Sequence, residues 1–520
     1  MLIGIDLGTS TCKIIAVDPD GKVVAVASRD YPMINLRPGW AEQEPDAWWR
    51  ATGEAMTDLV SQLPQNGAEV AGIGMCGQMH GLTPLDADGD VIRPAILWND
   101  QRAAAECDWI TERAGGLDEL LRMTRNRMLP GFTGGKIVWL RDHEPDHYAR
   151  MVRLLNPKDY IRYRMTGVHT TEVSDASGTG LFDVEHRTWS TELLGKIDVD
   201  PSLLPDAVES IEQTGALADD LCAAWGLPAG TPVFGGGGDA VIQTTAMGLI
   251  EEGSAGFTIG TAGIVAGGLS RCPDNPEGRV QVGAGNEPGR WHIMGVSLSA
   301  GGAFQWLRDA LTPLNDSQKV TFERLISLAK GVEPGAGGVM FVPYLLGERS
   351  PYVAPDASAS LVGLSQMHNV GHISRAVLEG VLMNLREILE VCVDAGLQTD
   401  QIIASGGATK ERLWLQMLAD VLGREVVTVT GASEGGAYGA ALAAGVGAGV
   451  WPDLAAALGA VQVERTFTPD PESVERYDTV FAAHRRLHDA LGEVYSLVAA
   501  ADGGDAATER AGVGDGTADA

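Results

Sequence analysis

One pattern occurs twice in this chain and restricts its fold more than any other. It is an apolar strand, a turn built on Gly-Thr, and a second apolar strand. GIDLGTSTCKIIAV at residues 4–17 is echoed by AGFTIGTAGIVAGG at 255–268. A second pair follows in the same order: VAGIGMCGQ at 70–78 is echoed by QIIASGGA at 401–408, each an apolar strand running into a glycine turn. Single short echoes also arise by chance among β-turns, so the shared order of the two pairs carries the inference. It predicts two related α/β halves, descended from a duplication, that meet near residue 245.

Within the first half, LIGID (2–6), CKIIAVD (12–18) and VVAVAS (23–28) read as a three-strand meander, with PDGK (19–22) as a turn. After Pro45 the spacing predicts a helix, with Trp49, Met56 and Leu59 among its apolar positions. VAGIGM (70–75) reads as a buried strand that runs into the loop CGQMHG (76–81). The longest uncharged run, GGAYGAALAAGVGAGVW at 435–451, is too weakly apolar for a membrane span and predicts a buried helix with a small-residue face. Domains are expected at 1–245 and 246–498. Residues 499–520 lack large apolar side chains and are expected to form a disordered tail.

The charge balance narrows the partners. Among 520 residues the net charge is −31, which argues against nucleic acid or an anionic membrane surface as the partner. Hydrophobic residues make up 45%, enough for large cores. The six cysteines form no C-x-x-C pair, so neither a zinc site nor a disulfide framework is expected. Asp6 interrupts the first apolar stretch and no basic region precedes it, so no secretory signal is read and a cytoplasmic location is expected.

The 67 glycines cluster where chemistry can be placed. In IDLGTSTCK (5–13), Gly8 lets the backbone approach an anion, Thr9, Ser10 and Thr11 offer hydroxyl and amide donors, and Lys13 adds positive charge. Asp6 ends the first strand, where a carboxylate can hold a magnesium ion through water. Gly260 and Thr261 repeat the turn in the second half, and two such turns would clamp a nucleoside triphosphate across a cleft. In SGGATKERLW (405–414), Gly406, Gly407 and Ala408 leave room for a base or ribose before a helix begins. GASEGGAYGAAL (431–442) is a similar junction, for which close packing of a small-residue helix in the core is the favoured reading.

GGGGDA (235–240) puts Asp239 just after four glycines, where backbone and substrate can approach closely. A phosphoryl transfer to an alcohol needs an acceptor for the hydroxyl proton, and one placed aspartate can serve. A turn aspartate that only bonds its own backbone is the rival reading. His80 in MHG and Trp98, Asp100 and Arg102 in LWNDQR (97–102) supply hydrogen-bonding groups and an apolar wall suited to a polyol, although a lone histidine is as often structural.

Taken together, these segments resemble the FGGY carbohydrate kinases of the actin-like ATPase superfamily, from Met1 to about residue 498. The collinear matches are GIDLGTS, WAEQEPDAWW (40–49), GQMHG, ILWNDQR, LPGFTGGKIVWLRDHEP (129–145), LNPKDYIRYRMTG (155–167), SDASGT (174–179), GGGGDA, VPYLLGERSP (342–351), SRAVLEG (374–380) and SGGA. Two resemble family signatures: GFTGGKIVWLRDH at 131–143 and the segment 359–379, here with Ser360 after Ala359.

The resemblance implies two ribonuclease-H-like α/β domains with an interdomain cleft. It also implies ATP and Mg²⁺ as cofactors and a small sugar as the partner, with a homodimer left open. It assigns Asp239 as the catalytic base, Asp6 to the magnesium, and Thr9 to Thr11 to the first phosphate loop. Gly260 and Thr261 fall in the second phosphate loop, Gly406, Gly407 and Ala408 on the adenosine side, and Met79 and His80 in the sugar-binding segment. Its xylulose-phosphorylating branch matches best, implying conversion of D-xylulose to D-xylulose 5-phosphate in xylose catabolism. Two departures stand out. Ala240 follows the base where many such kinases have Asn, and Ala262 replaces a common Ser in the second turn. Ribulose, xylitol or another polyol therefore stays an alternative substrate. A chaperone or assembly ATPase sharing only the phosphate turns is the alternative of another class.

Overall fold

The computed structural model describes residues 1–250, 252–312, 320–430 and 434–501. It separates into two compact units. The first contains Met1–Glu251, Gly268–His292 and Glu434–Gln462; the second contains Glu252–Gly267, Ile293–Ser433 and Val463–Ala520.

The first unit is built on β1 (Leu2–Leu7), β2 (Thr11–Val17), β3 (Val23–Asp30), β4 (Gly72–Gly77), β5 (Gln213–Ala216), β6 (Pro232–Phe234) and β7 (Gly237–Gly238). The sheet runs β5–β6–β4–β1–β2–β3, with β7 alongside β4. β1 and β2 are antiparallel, whereas β1, β4 and β6 run parallel. The strand expected at 70–75 therefore lies two residues further on. Its register is set by pairing with β1 through Leu7↔Gly77, which carries Cys76 and Gly77 into the sheet.

Alternating side chains divide this sheet between two cores. Ile3, Ile5, Ile14 and Ala16 pack under α1 (Pro45–Ser61), whose buried face is Trp48, Met56 and Leu59. Trp48, not Trp49, occupies the core; Trp49 stays partly exposed and meets Trp225 instead. On the other face Leu2, Ile15 and Val17 meet α2 (Asp239–Ala246) and α3 (Gly435–Gly447).

The small-residue run thus forms the expected buried helix, and its use is specific. α3 lies so close to the sheet that a Cβ on Gly4 or Gly74 would meet the backbone carbonyls of Ala437 and Ala440. Residues 431–433, which begin the junction expected there, fall outside the described residues. A third core, with Leu82, Phe132, Trp139 and Leu181 among its members, fills the long insertion between β4 and β5.

The second unit repeats the plan with β8 (Ser254–Ile259), β9 (Gly263–Leu269), β10 (Trp291–Ser297), β11 (Gln401–Ser405), β12 (Val426–Val429) and β13 (Val463–Phe467), ordered β10–β9–β8–β11–β12–β13. β8 and β9 are antiparallel, and β8, β11 and β12 run parallel. The two sequence echoes therefore occupy equivalent places: β8–β9 corresponds to β1–β2, and β11 to β4. The likeness ends at the outer edge, where β13 follows β12 in the chain but β5 precedes β6.

Residue 245, expected as the boundary, lies within α2. The tail expected from 499 begins with three alanines that finish the helix Leu487–Ala501, in keeping with the high helix propensity of alanine; the rest falls outside the described residues. All six cysteines are free. No helix among the described residues is long and apolar enough to cross a membrane.

Candidate active site

Open α/β sheets bind ligands at the carboxyl ends of their parallel strands, and most of the candidate residues gather there. In the first unit β1 ends at Asp6-Leu7, and Cys76 of β4 is the parallel partner of Asp6. β7 pairs with the far side of β4 through Gly237↔Cys76 and Gly238↔Gly77, so Asp239 emerges at the same end of the sheet as Asp6. The four glycines are what permit this. Gly236 has φ +73 and would drive a Cβ into the backbone of Met75, while Gly238 lies against the side chain of Met79.

Asp239 begins α2, and its Oδ1 accepts the Ala240 N–H at 2.7 Å. Burial, reinforced by the charges of Asp6 and Asp175, pushes its pKa up to about 7. Asp6 accepts the Cys76 S–H at 3.3 Å, and burial raises its pKa as well. Lys13 stands opposite Asp6 across the hairpin but is ion-paired with Glu434 at 2.5 Å. Its charge therefore serves the entrance of α3 as well as the turn.

The first turn is braced from several sides. Gly8 N–H donates to Thr11 O at 3.0 Å, Gln43 Nε2 to Thr9 O at 2.6 Å, and Tyr31 N–H to Ser10 O at 2.9 Å. Thr11 Oγ1 donates to Asp30 Oδ1 at 2.7 Å, so this hydroxyl is engaged within the hairpin. Thr9 Oγ1 accepts Trp98 Nε1–H at 3.0 Å, and Ser10 is exposed at the tip. The indole of Trp98, 40% exposed, is thus tied to the first turn.

His80 has φ +70; its Nδ1 is 2.5 Å from Gly178 O and its ring stacks on Phe132 at 4.7 Å between centroids. The His80 carbonyl accepts Thr133 Oγ1–H at 3.1 Å and the ammonium of buried Lys136 at 2.8 Å. Desolvation brings the pKa of Lys136 down to about 7. Met79 reaches both Gly178 and Gly238, linking this segment to the loop that carries Asp239.

Asp100 and Arg102 differ from their expected role. Asp100 is 0% exposed, and its carboxylate accepts Arg102 Nε–H at 2.8 Å, Arg102 Nη2–H at 2.7 Å and Ala41 N–H at 2.6 Å. Arg102 also pairs with Glu42 at 2.7 Å and stacks 3.6 Å from the Trp40 ring centroid. The two side chains satisfy each other in the interior and are not free for a polyol, because a buried guanidinium and carboxylate need each other more than a solvent-exchangeable ligand.

In the second unit the Gly260–Thr261 turn is held by the start of the helix Gly301–Leu311. Gly301 N–H donates to Gly260 O at 2.8 Å, and Ala300 and Gly302 donate to Thr261 O at 2.8 and 3.0 Å. On the neighbouring strand Gly406 has φ +88, and a Cβ there would meet the backbone of Ile259. Thr258 and Ser405 hydroxyls are 2.8 Å apart. Gly260, Thr261, Gly406, Gly407 and Ala408 therefore share the carboxyl ends of β8 and β11, followed by the helix Arg412–Leu422.

Sequence reasoning missed a buried ionic cluster behind the Asp239 loop. Lys158 Nζ lies 2.6, 3.4 and 3.0 Å from Asp159, Glu172 and Asp175, and Arg162 donates to Asp159 at 2.8 Å and to Gly235 O at 2.9 Å. The visible signal was four charged residues in NPKDYIRYR next to apolar neighbours, a density that a solvated helix face also produces.

The model of the N-terminal domain of the FGGY family of carbohydrate kinases matches residues 1–248, and that of its C-terminal domain matches residues 255–448. A xylulose kinase of Bacillus subtilis is 36% identical over 94% of this chain and 96% of its own length. One from Escherichia coli is 37% identical over 94% and 99%. Among solved structures, a protein of Brucella ovis described as a xyloylose kinase superimposes with TM-score 0.89 at 33% identity, covering 95% of this chain and 99% of that one. A gluconate kinase of Lactobacillus acidophilus reaches 0.90 at 26% identity with the same coverage. With both domain models matched in order and full-length relatives above 30% identity, the chain belongs to the FGGY family of carbohydrate kinases.

Proposed function

We propose that this kinase transfers the γ-phosphoryl group of ATP to D-xylulose, giving D-xylulose 5-phosphate and ADP, with Asp239 as the general base. The observation that carries the reading is Asp239 itself. It is a carboxylate on a four-glycine loop at the carboxyl ends of β1, β4 and β7, with a pKa pushed up to about 7. A base works best when its pKa lies near the operating pH, because it is then deprotonated and still a competent proton acceptor. As the sugar oxygen attacks phosphorus, its proton passes to Asp239; the β–γ bridging oxygen leaves with ADP, and the proton is later released to solvent. The reading of the sugar follows the xylulose kinases to which the chain is similar.

The turns at Gly8–Thr11 and Gly260–Ala262 supply backbone donors for the phosphates. No backbone partner takes up the N–H groups of Thr9 and Ser10 among the described residues. Asp6 fits a magnesium ion that arrives with the nucleotide. Mg²⁺ retains several waters and takes one or two carboxylates plus phosphate oxygens, and among the described residues no cluster of three or more His, Cys, Asp or Glu side chains offers a closed cage. When bound, the ion would neutralise charge developing on the phosphates. Met79, His80 and Trp98 are the proposed sugar-side residues. Asp100 and Arg102 hold the surrounding loop rather than the sugar.

A second reading, another pentulose or polyol, is favoured by Ala240, whose methyl offers no hydrogen bond next to the base. Coupled ADP-release assays over D-xylulose, ribulose, xylitol and gluconate decide between them. D-Xylulose should give the highest kcat/KM; a higher value for any other sugar overturns the named substrate. Asp239→Ala should lower kcat by roughly 10²–10⁴, the range for removing a general base. Near-normal turnover would remove Asp239 from that role.

A further inference from the structure

The segment VPYLLGERSP contains an arginine with no role so far. Arg349 belongs to the second unit, and Glu348 to Ser350 run beside the end of β10. Ser350 N–H donates to Val296 O at 3.1 Å, and Leu298 N–H donates to Glu348 Oε1 at 3.0 Å. Two residues beyond Leu298, Ala300 N–H donates to Thr261 O at 2.8 Å. Arg349 is therefore beside the stretch that braces the Gly260–Thr261 turn.

Its neighbour Glu348 does not hydrogen-bond to its guanidinium. Glu348 Oε1 is taken by the N–H groups of Leu298 and Arg349, and Oε2 by Ser297 Oγ at 2.9 Å and Asn384 Nδ2 at 2.8 Å. Among the described residues no carboxylate, carbonyl or hydroxyl accepts from the Arg349 guanidinium. The side chain is partly exposed; burial holds its pKa below the ordinary arginine value, with the charge of Glu348 opposing that shift.

The arginines with more deeply buried side chains behave differently. Arg93 and Arg102 pair with Glu42, Arg162 with Asp159, and Arg375 with Glu379. In a chain with 69 acidic and 38 basic residues, a partly buried guanidinium that pairs with no carboxylate among the described residues stands out. A partly buried guanidinium whose donors meet no acceptor among the described residues is expected to meet an anion from outside the chain. A planar fork of N–H donors matches phosphate oxygens, and the nearest proposed phosphate site is the Gly260–Thr261 turn.

We propose that Arg349 is a nucleotide-binding residue whose guanidinium takes the phosphate chain of ATP beside the second turn. The proposal rests on the reading of that turn as a phosphate loop, and it does not depend on the sugar or on Asp239.

The test is calorimetric titration of the full chain, without sugar, using Mg²⁺ with a non-hydrolysable ATP analogue and, separately, adenosine. Arg349→Gln should weaken the analogue by about tenfold or more, as expected for losing a charge-assisted contact, and leave adenosine unchanged. Arg349→Lys should recover part of the loss. Thermal melting of each variant checks that it is folded. Analogue affinity within twofold of the parent in Arg349→Gln overturns the proposal, as does an equal loss for adenosine. Because no turnover is measured, a failure of the catalytic-base assignment would appear in the kinetic assay and not here.

Discussion

The backbone N–H of Gly238 donates to Ser174 Oγ at 3.0 Å, one residue before Asp239. Ser174 passes this contact on, donating to Glu172 Oε1 at 2.8 Å, while Glu172 Oε2 accepts Ser174 N–H at 2.7 Å and Ser210 Oγ–H at 3.2 Å. Asn286 Nδ2 donates to Ser210 Oγ at 2.9 Å. The loop carrying the proposed base is thus hung from a fully buried carboxylate next to Lys158. Glycines make the loop thin enough to reach β4, and the ionic cluster makes it stay.

Ser174→Ala tests this suspension. Losing one buried hydrogen bond of this kind costs about 1 kcal/mol, and the slack it gives the loop should lower kcat by about fivefold to tenfold. KM for ATP should stay near the parent value, since the nucleotide-side turns are untouched. Steady-state kinetics with each substrate varied reads both. A fall in ATP affinity with unchanged kcat would contradict the argument.

The raised pKa of Asp239 predicts a pH profile. With a folded-state value of about 7 against an ordinary 3.8, the carboxyl is protonated, and useless as a base, below neutrality. The logarithm of kcat/KM should rise with slope one up to about pH 7 and then level off. A flat profile through this range would rule out a single base of this kind.

Stability carries the opposite sign. The folded chain binds this proton more tightly than the unfolded chain, so the contribution favouring the fold is complete below the unfolded pKa and is lost as pH rises through about 7. Asp239→Asn should therefore melt above the parent at about pH 8, and the gap should close at about pH 4. Differential scanning fluorimetry over that range decides it; a parent that melts higher at alkaline pH would reverse the sign.

Arg102 should behave as an architectural residue. Its removal leaves Asp100 and Glu42 buried with diminished compensation, a loss of about 3–5 kcal/mol for breaking such a pair. Arg102→Met should lower the melting temperature sharply while the folded fraction keeps its KM for sugar. A stable variant with a greatly raised sugar KM would restore the direct role expected from its sequence neighbourhood.

Gly74→Val should be more damaging than its solvent-free surroundings suggest. The added Cβ meets the Ala440 carbonyl on α3, and backbone cannot rotate aside as a side chain can. Overpacking of this sort costs about 1–3 kcal/mol or more, and here it also lifts α3 from the strand beside Asp6. Loss of soluble yield or a depressed melting temperature is expected, whereas Gly459→Ala, in open space, should be neutral.

Much of this was legible because it is local or repeated. The Gly-Thr turns and the strands around them follow from apolar runs and turn residues, and their recurrence announced two related sheets before any contact was known. Asp239 was legible because four glycines beside a carboxylate have few structural uses. The engagement of Asp100 and Arg102 was not legible, because sequence shows which groups can hydrogen-bond, not which are already engaged; Ala41, Glu42 and Trp40 lie about 60 positions away and meet both side chains.

By itself the amino-acid order determined the duplicated strand–turn–strand plan, the sites of the glycine turns and the placing of Asp239, the proposed base, directly after four glycines. Those features depend on backbone freedom and alternation along one segment. Only the tertiary structure decided that residues 435–447 close the first sheet against Gly4 and Gly74, that the Lys158 cluster anchors the Asp239 loop through Ser174, and that the Arg349 guanidinium pairs with no carboxylate among the described residues. Each depends on which distant group arrives to fill a space or neutralise a charge. Desolvation makes those arrivals decisive, and no local pattern records them.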